Sequence, residues 1–195
     1  SLQALQKDRE DPKNRVAAHG LLVGADLRRA DLSGMNLGGL NLSNANFRWA
    51  DLTGSDLTGA ILIKCDFSRS CLYQAIFDRA DLTGSDMSMA YMKTTSFVGT
   101  RMWRVWLRHV MAESAIFFDA DMSFSDFRYS DFWGARFDGA IMDDVAHLDK
   151  ASFVRYLKPG GAYDWKLSPT DGYVPIAKNF TAGMTYQGNS ARRAE

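Results

Sequence analysis

The side chains of this chain that could carry out chemistry are three histidines, two cysteines and a long series of aspartates and serines. The histidines, His19, His109 and His147, are far apart in the chain, and none has a cysteine or carboxylate at the spacing of metal ligands. The sequence contains no GxSxG, P-loop, HExxH or CxxC motif. Asp and Ser recur so often that a Ser, His and Asp combination carries no catalytic signal. We therefore predict no enzymatic activity, no metal and no cofactor.

The aspartates belong to a repeat of five residues, seen most clearly in ADLTGSDLTG at residues 50–59. A period of five fits neither a helix nor an alternating strand. From residue 22 to 142, 24 of the 25 positions spaced by five are Leu, Phe or Met, and the exception is Ala112. Two positions earlier the residue is small, with only Met35 and Leu40 larger than Val. Since residues separated by one point to the same side of an extended backbone, each repeat predicts a very short strand and a turn.

These A(D/N)LXX repeats resemble those of the pentapeptide-repeat family over roughly residues 20–144. The resemblance implies an all-β fold, a right-handed quadrilateral parallel β-helix in which four repeats make one coil. The Leu or Phe and the small residue would point inward, and the chain would form about six coils. Side chains 20 residues apart should then stack in columns. Two such columns are Phe77, Phe97, Phe117 and Phe137, and Leu22, Leu42, Leu62, Leu82, Met102 and Met122.

The ends of the array predict a division of the chain into four parts. The open ends of a stack of coils expose unpaired backbone groups, so they need caps. We expect an N-terminal helical cap at 1–20, the β-helix at 21–142 and a C-terminal helical cap at 143–158. Residues 159–195 contain three of the four prolines and no sustained periodicity, which predicts an extended tail without a core of its own. We expect that tail to lie on a neighbouring chain; the alternative is that it packs along the side of its own rod.

Composition limits the possible functions. The chain has 23 acidic and 23 basic residues, so its formal net charge is zero. One branch of the family resembles DNA in size and charge, binds DNA gyrase and blocks quinolone action. Imitating a duplex needs a strongly acidic surface. The zero net charge of this chain therefore disfavours a DNA-mimic function. There is no apolar run long enough for a transmembrane helix and no signal-peptide pattern. We expect a soluble protein of the cytoplasm or of a large particle, without membrane insertion or a small-molecule substrate.

A candidate protein interface lies where the repeat departs from its consensus, between residues 61 and 118. Here apolar residues replace the Asp or Asn before the central position, and further apolar residues occupy outward positions. Exposed apolar clusters of this kind often mark contact sites, and Trp, Tyr and Met are favoured there. The alternative is that these positions are half-buried and merely tolerate apolar residues. The candidate residues are Cys71, Tyr73, Ile76, Tyr91, Trp103, Trp106, Met111, Ile116 and Phe118.

A second candidate surface is a basic wall with interleaved aromatic residues. It could bind nucleic acid or an acidic partner. Alternatively, its arginines could simply neutralise aspartates of the same wall, Asp26, Asp66, Asp86 and Asp126, whose carboxylates would repel phosphate. The candidate residues are Arg28, Arg29, Arg48, Trp49, Arg69, Arg108 and Arg128.

The sequence as a whole favours a non-enzymatic structural or adaptor protein. In this interpretation a rigid β-helical rod docks on other protein chains of a homo- or hetero-assembly through the candidate protein interface and the tail. Two alternatives stay open: a DNA-mimic inhibitor that binds a type II topoisomerase, and a protein that binds nucleic acid or an acidic partner through the basic wall.

Overall fold

The computed structural model describes residues 22–143 and the backbone of four short strands further along the chain. The strands are β1 (Phe153–Val154), β2 (Lys166–Leu167), β3 (Met184–Gln187) and β4 (Ser190–Arg193). β1 pairs antiparallel with β2, and β3 with β4. The predicted cap at 1–20 lies outside the described residues. So do most of the predicted cap at 143–158 and most of the tail, although Phe153–Val154 form a strand rather than part of a helix.

Each repeat in residues 22–143 is one bridged residue in an extended segment, followed by a tight turn. In the repeat centred on Leu52, the carbonyl of Leu52 accepts the N–H of Ser55 at 3.0 Å, which closes a four-residue turn. Gly54, the third residue of that turn, has φ of +63°. This is the type II arrangement, which needs a left-handed residue at its third position. Residues 101–114 keep the same bridges and the same left-handed turn positions.

Successive coils are joined by parallel β-bridges between residues exactly one coil apart. Asp26 bridges Asn46, Asn46 bridges Asp66, and the series continues to Asp121 with Ile141. Each bridge is held by two backbone bonds, such as Leu27 N–H to the Asn46 carbonyl at 2.8 Å and Asn46 N–H to the Ala25 carbonyl at 2.9 Å. The predicted architecture, an all-β right-handed quadrilateral β-helix of about six coils, is therefore confirmed.

Four walls surround the interior, and we number them in chain order, so that wall 2 is opposite wall 4. Each wall is named by its central residues. Wall 1 is centred on Leu22, Leu42, Leu62, Leu82, Met102, Met122 and Met142; wall 2 on Leu27, Phe47, Phe67, Met87, Leu107 and Phe127; wall 3 on Leu32, Leu52, Leu72, Met92, Ala112 and Phe132; and wall 4 on Leu37, Leu57, Phe77, Phe97, Phe117 and Phe137.

The interior is dry and close-packed. Every central residue from Leu22 to Met142 is buried. On wall 4 the rings of Phe97 and Phe117 stack with their centroids 4.9 Å apart, as do those of Phe117 and Phe137. That distance matches the spacing of hydrogen-bonded strands, so the predicted column is set by the coil itself. Where Ala112 leaves space on wall 3, Phe132 of the next coil makes an edge contact with Phe117, with centroids 5.9 Å apart.

Polar groups at the inner corners are satisfied by the backbone. Ser125 replaces the usual alanine there, and its hydroxyl donates to the Met102 carbonyl at 2.8 Å and accepts the N–H of Val105 at 3.0 Å. Ser85 makes the equivalent pair with Leu62 and Cys65. A hydroxyl thus bridges two groups of the preceding coil. Because a buried polar group is costly only when unpaired, these residues are compatible with the apolar interior.

Candidate protein-interaction surfaces

Each repeat presents three outward positions: the bridge residue and the two middle residues of the turn. The second of these turn residues has a left-handed backbone, with φ between +54° and +76°, at all 24 such positions from 24 to 139. Nine of them are glycine and fifteen are not. Since a side chain is strained in this conformation, every non-glycine residue here costs stability that a glycine would not.

The bridge positions carry the predicted Asp and Asn ladder. All thirteen Asp or Asn residues at bridge positions between 26 and 131 accept the N–H of the residue two further on, as Asp51 does from Thr53 at 2.9 Å. This is the expected local bond of these side chains at a turn. The ladder explains the repeated aspartates as structural groups. The bridge residues that are neither Asp nor Asn include most of the residues predicted for the protein interface.

The structure brings together seven of the nine residues predicted for the protein interface. Cys71, Tyr73, Tyr91 and Met111 lie on wall 3, and Ile76, Ile116 and Phe118 lie on the adjacent wall 4; we call these seven the apolar patch. Trp103 lies on wall 1, where it contacts Phe124 and Arg104. Trp106 is a bridge residue of wall 2.

The apolar patch is only partly open to solvent. Met111 is 53% exposed and Ile76 is 39% exposed, whereas the other five residues are half-buried. Tyr73 and Tyr91 stack with their centroids 6.1 Å apart, and Arg136 covers the ring of Phe118 at 4.3 Å. Five of the seven residues are thus half-buried, as the second interpretation expected, whereas Met111 and Ile76 expose apolar area, as the first expected.

All seven residues predicted for the basic wall lie on wall 2. The second turn positions of this wall form one column along the edge between walls 2 and 3, because each is followed at once by the corner and the next wall. We call this column the edge strip. It consists of Arg29, Trp49, Arg69, Met89, His109 and Tyr129, all of them exposed.

Contacts between coils order the edge strip and the neighbouring part of wall 2. The guanidinium of Arg69 lies over the ring of Trp49 at 5.0 Å. His109 and Tyr129 stack with centroids 4.8 Å apart and nearly parallel planes. Trp106, one of the nine residues predicted for the protein interface, lies under Arg108 at 5.3 Å. Its position 20 residues before Asp126 and 20 after Asp86 is the sequence signal that places it on wall 2.

Ion pairs neutralise part of wall 2. The carboxylate of Asp126 is buried and accepts from Arg108 at 2.6 Å and from Arg128 at 2.8 Å. Burial opposes ionisation of Asp126, but the hydrogen bonds from Arg128 and Arg108 together hold its pKa below the usual value. Near the first coil, the hydrogen bonds from Arg28 lower the pKa of Asp26 to about 2. Arg48 pairs with Asp66 at 3.4 Å.

The four walls differ in charge. The outward positions of wall 2 carry six arginines and four aspartates, a net charge of +2. Wall 1 is neutral, wall 3 carries a net −3 and wall 4 a net −2. Residues 22–143 together hold fifteen acidic and twelve basic residues. Wall 2 is therefore the only basic wall of the described rod.

The described residues contain no group of three or more His, Cys, Asp or Glu side chains placed to hold a metal ion. Between residues 22 and 143 there is also no helix long and apolar enough to cross a bilayer. Both cysteines are free: Cys65 occupies an inner corner position and is buried, and Cys71 is a half-buried bridge residue. Burial raises the pKa of the Cys65 thiol to about 12.

A rod of stacked five-residue repeats with a dry interior defines a pentapeptide solenoid. The family model described as pentapeptide repeats matches the chain in eight copies, at residues 21–59, 41–79, 60–99, 75–110 and 114–145. These segments cover more than half of the chain. The chain belongs to the pentapeptide-repeat family.

Solved structures of the family resemble the chain. QnrB1, a plasmid-mediated fluoroquinolone resistance protein, is 20% identical over 68% of this chain and 78% of its own in its trypsin-treated M102R form, with a TM-score of 0.45. Rfr23 from the cyanobacterium Cyanothece 51142 is 19% identical over 68% of this chain and 100% of its own, with a TM-score of 0.36. HetL from the cyanobacterium Nostoc sp. strain PCC 7120, involved in heterocyst differentiation regulation, is 22% identical over 73% and 70%, with a TM-score of 0.22. No curated protein matches the chain significantly.

Proposed function

We propose that this protein is a non-enzymatic adaptor, a rigid rod that docks on other protein chains through the apolar patch. The observation that carries the proposal is the placement of that patch: seven residues spread over 48 positions of sequence lie on two adjacent walls at mid-rod. Its two most exposed members, Met111 and Ile76, lie on the adjacent walls 3 and 4, and exposed apolar side chains on one part of a surface are typical of contact sites.

The interior supports a non-enzymatic role. Its buried polar side chains are chiefly Ser and Thr residues whose hydroxyls bond to backbone carbonyls, as Ser55 does with Leu52 at 2.8 Å and Thr100 with Phe77 at 2.7 Å. A hydroxyl committed to the backbone is a poor nucleophile, because no neighbouring base takes its proton. The rod's surface, rather than a pocket, is then its means of recognition.

The charge of the rod weighs against the DNA-mimic alternative. Six coils extend about 29 Å at the spacing of hydrogen-bonded strands. A DNA duplex of that length carries roughly 17 negative charges. Residues 22–143 carry a net charge of −3, and their walls differ in sign. A topoisomerase surface that binds a duplex would therefore meet a much weaker and uneven potential.

Photo-crosslinking tests the docking function. A benzoylphenylalanine at position 111 should give a crosslinked adduct of discrete mass in an extract of the source organism. The same probe at position 51, the equivalent bridge position of wall 3 three coils earlier, is the matched control. We expect an adduct from position 111 and none from position 51. Equal adducts from both positions, or none from either, would contradict the proposal.

A further inference from the structure

The edge strip has a property that the fold does not require. All six of its residues have left-handed backbones, with φ between +54° and +62°, and none is glycine. At the corresponding positions of the other three walls, nine of eighteen residues are glycine. The strip residues are exposed, so the core gains nothing from their size. Six strained, exposed and large side chains in one column indicate a role outside the rod.

Contacts within the strip prepare it for binding. Arg69 is held over Trp49 and His109 is held against Tyr129, so these long side chains have already lost part of their rotamer freedom. Such preorganisation lowers the entropic cost of binding. At its first coil the strip opens on a shallow groove lined by Asp26, Arg28, Arg29, Arg48 and Trp49.

The composition of the strip resembles the centre of a protein interface. Arg, Trp, Tyr and Met are enriched in such centres, whereas Lys and Glu are depleted. Wall 2 and its edge strip contain six arginines and no lysine or glutamate. A guanidinium binds a carboxylate through two parallel hydrogen bonds, which a lysine cannot do.

The distribution of charge favours a protein segment over nucleic acid. Arg28, Arg48, Arg108 and Arg128 already pair with aspartates of wall 2. Arg29 and Arg69 make no ion pair with any described residue, and two coils, or about 10 Å, separate them.

A nucleic-acid strand carries a charge at every nucleotide and would meet the fixed carboxylates of wall 2 as well as the free arginines. A protein segment can place isolated carboxylates at the arginines and apolar side chains at Trp49 and Met89.

We propose that the edge strip binds a segment of a partner protein in which a few carboxylates are flanked by apolar side chains. This surface is distinct from the apolar patch, although both serve docking on protein chains. The strip can therefore bind a partner whether or not the crosslinking probe at position 111 gives an adduct. Failure of the crosslinking experiment would contradict only the role of the apolar patch, and failure of the peptide selection below would contradict only the role of the strip.

Selection of displayed peptides tests the proposal. Random 12-residue peptides are selected against the purified full chain, and the most enriched one is synthesised and its affinity measured by fluorescence anisotropy. We expect enrichment of Asp and Glu together with Leu, Phe or Trp. We also expect the affinity to fall as salt rises, because the strip and its partner attract through exposed charges. A 12-residue oligothymidylate serves as the nucleic-acid probe and should bind more weakly than the peptide.

A matched pair of variants locates the binding surface. Arg69→Gly removes a strip residue, and Arg79→Gly removes an arginine from the second turn position of wall 4, where φ is +60° rather than +62°. Both changes place glycine in a left-handed conformation, so neither should lower the melting temperature. We expect Arg69→Gly to weaken peptide binding about tenfold, as loss of an interface arginine often does. Arg79→Gly should change it less than about twofold, well below that hot-spot effect.

Several results would overturn the proposal. These are a failure to select any peptide, enriched peptides without acidic residues, tighter binding of the oligothymidylate, and equal losses in the two variants. A third variant, Met89→Gly, checks the apolar part of the strip. It should weaken the selected peptide while leaving the salt dependence of its affinity unchanged, because it removes contact area and no charge.

Discussion

The edges that follow walls 2 and 4 have the same backbone conformation but differ in their side chains. The edge strip is fully substituted, whereas the wall 4 edge consists of Gly39, Gly59, Arg79, Gly99, Asp119 and Gly139. Values of φ lie between +54° and +62° on the first edge and between +54° and +76° on the second. The coil therefore accepts either choice. The fold therefore does not dictate the side chains on the edges of this rod, and we expect contacts with other molecules to explain them.

The buried residues behind walls 2 and 4 should contribute similarly to stability, unlike the exposed residues of the two edges. Phe67 of wall 2 and Phe97 of wall 4 are both fully buried and both stack on the ring of an adjacent coil. Changing either to Ala leaves a cavity in a close-packed core, which we expect to cost about 3–5 kcal/mol of unfolding free energy. Urea denaturation of the two variants measures this. A cost below about 1 kcal/mol for either would show that its wall can collapse around the lost ring, against the usual range for such a change.

Loss of an aspartate charge should reduce stability more on wall 2 than on wall 4, because ion pairing differs between the two walls. Asp126 of wall 2 is buried between two arginines, whereas Asp56 of wall 4 bonds the N–H of Thr58. An asparagine keeps the oxygen that accepts a backbone N–H, so Asp56→Asn should be nearly neutral. Asp126→Asn loses two charge-assisted bonds to arginines that are partly exposed, and we expect a cost of about 1–2 kcal/mol at neutral pH.

The pH dependence of this cost has a definite sign. The pKa of Asp126 is lowered in the folded protein, so its carboxylate stabilises the fold above the unfolded pKa, near 3.8. That contribution is lost as the pH falls through the folded pKa. The gap between the wild type and Asp126→Asn should therefore be full at pH 7 and shrink below about pH 4. A gap that stays constant to pH 2 would mean that the charge does not contribute.

The smallest expected effect comes from exchanging side chains between the edges. Gly59 has φ of +65° and no atom within 4 Å of the position that a Cβ would take. Gly59→Arg should thus cost about 1 kcal/mol through backbone strain alone. Arg69→Gly relieves the same strain but loses the contact with Trp49, so stability should change by less than about 0.5 kcal/mol. Thermal unfolding of both variants tests the comparison, and a clear loss in Arg69→Gly would mean that the strip supports the fold.

Much of this molecule could be read from the spacing of its residues. Leu, Phe and Met at every fifth position predicted the buried columns, and small residues two places earlier predicted the inner corners. The same counting assigned Arg28 and Arg128 to one wall. Trp106 was grouped with the predicted interface by its chemistry, whereas its position in the coil assigns it to wall 2. The predicted caps and tail fall largely outside the described residues, where no five-residue period guides the interpretation.

The five-residue period determined which side chains point inward, and the resemblance to the pentapeptide-repeat family implied the coil of four repeats. Together they determined which residues share a wall, because residues 20 positions apart then occupy the same place in successive coils. The tertiary structure decided what those residues do there. Arg69 covers Trp49, and Asp126 is shared between Arg108 and Arg128. Such contacts depend on rotamers chosen between stacked coils, and a repeat that fixes only the backbone cannot encode them.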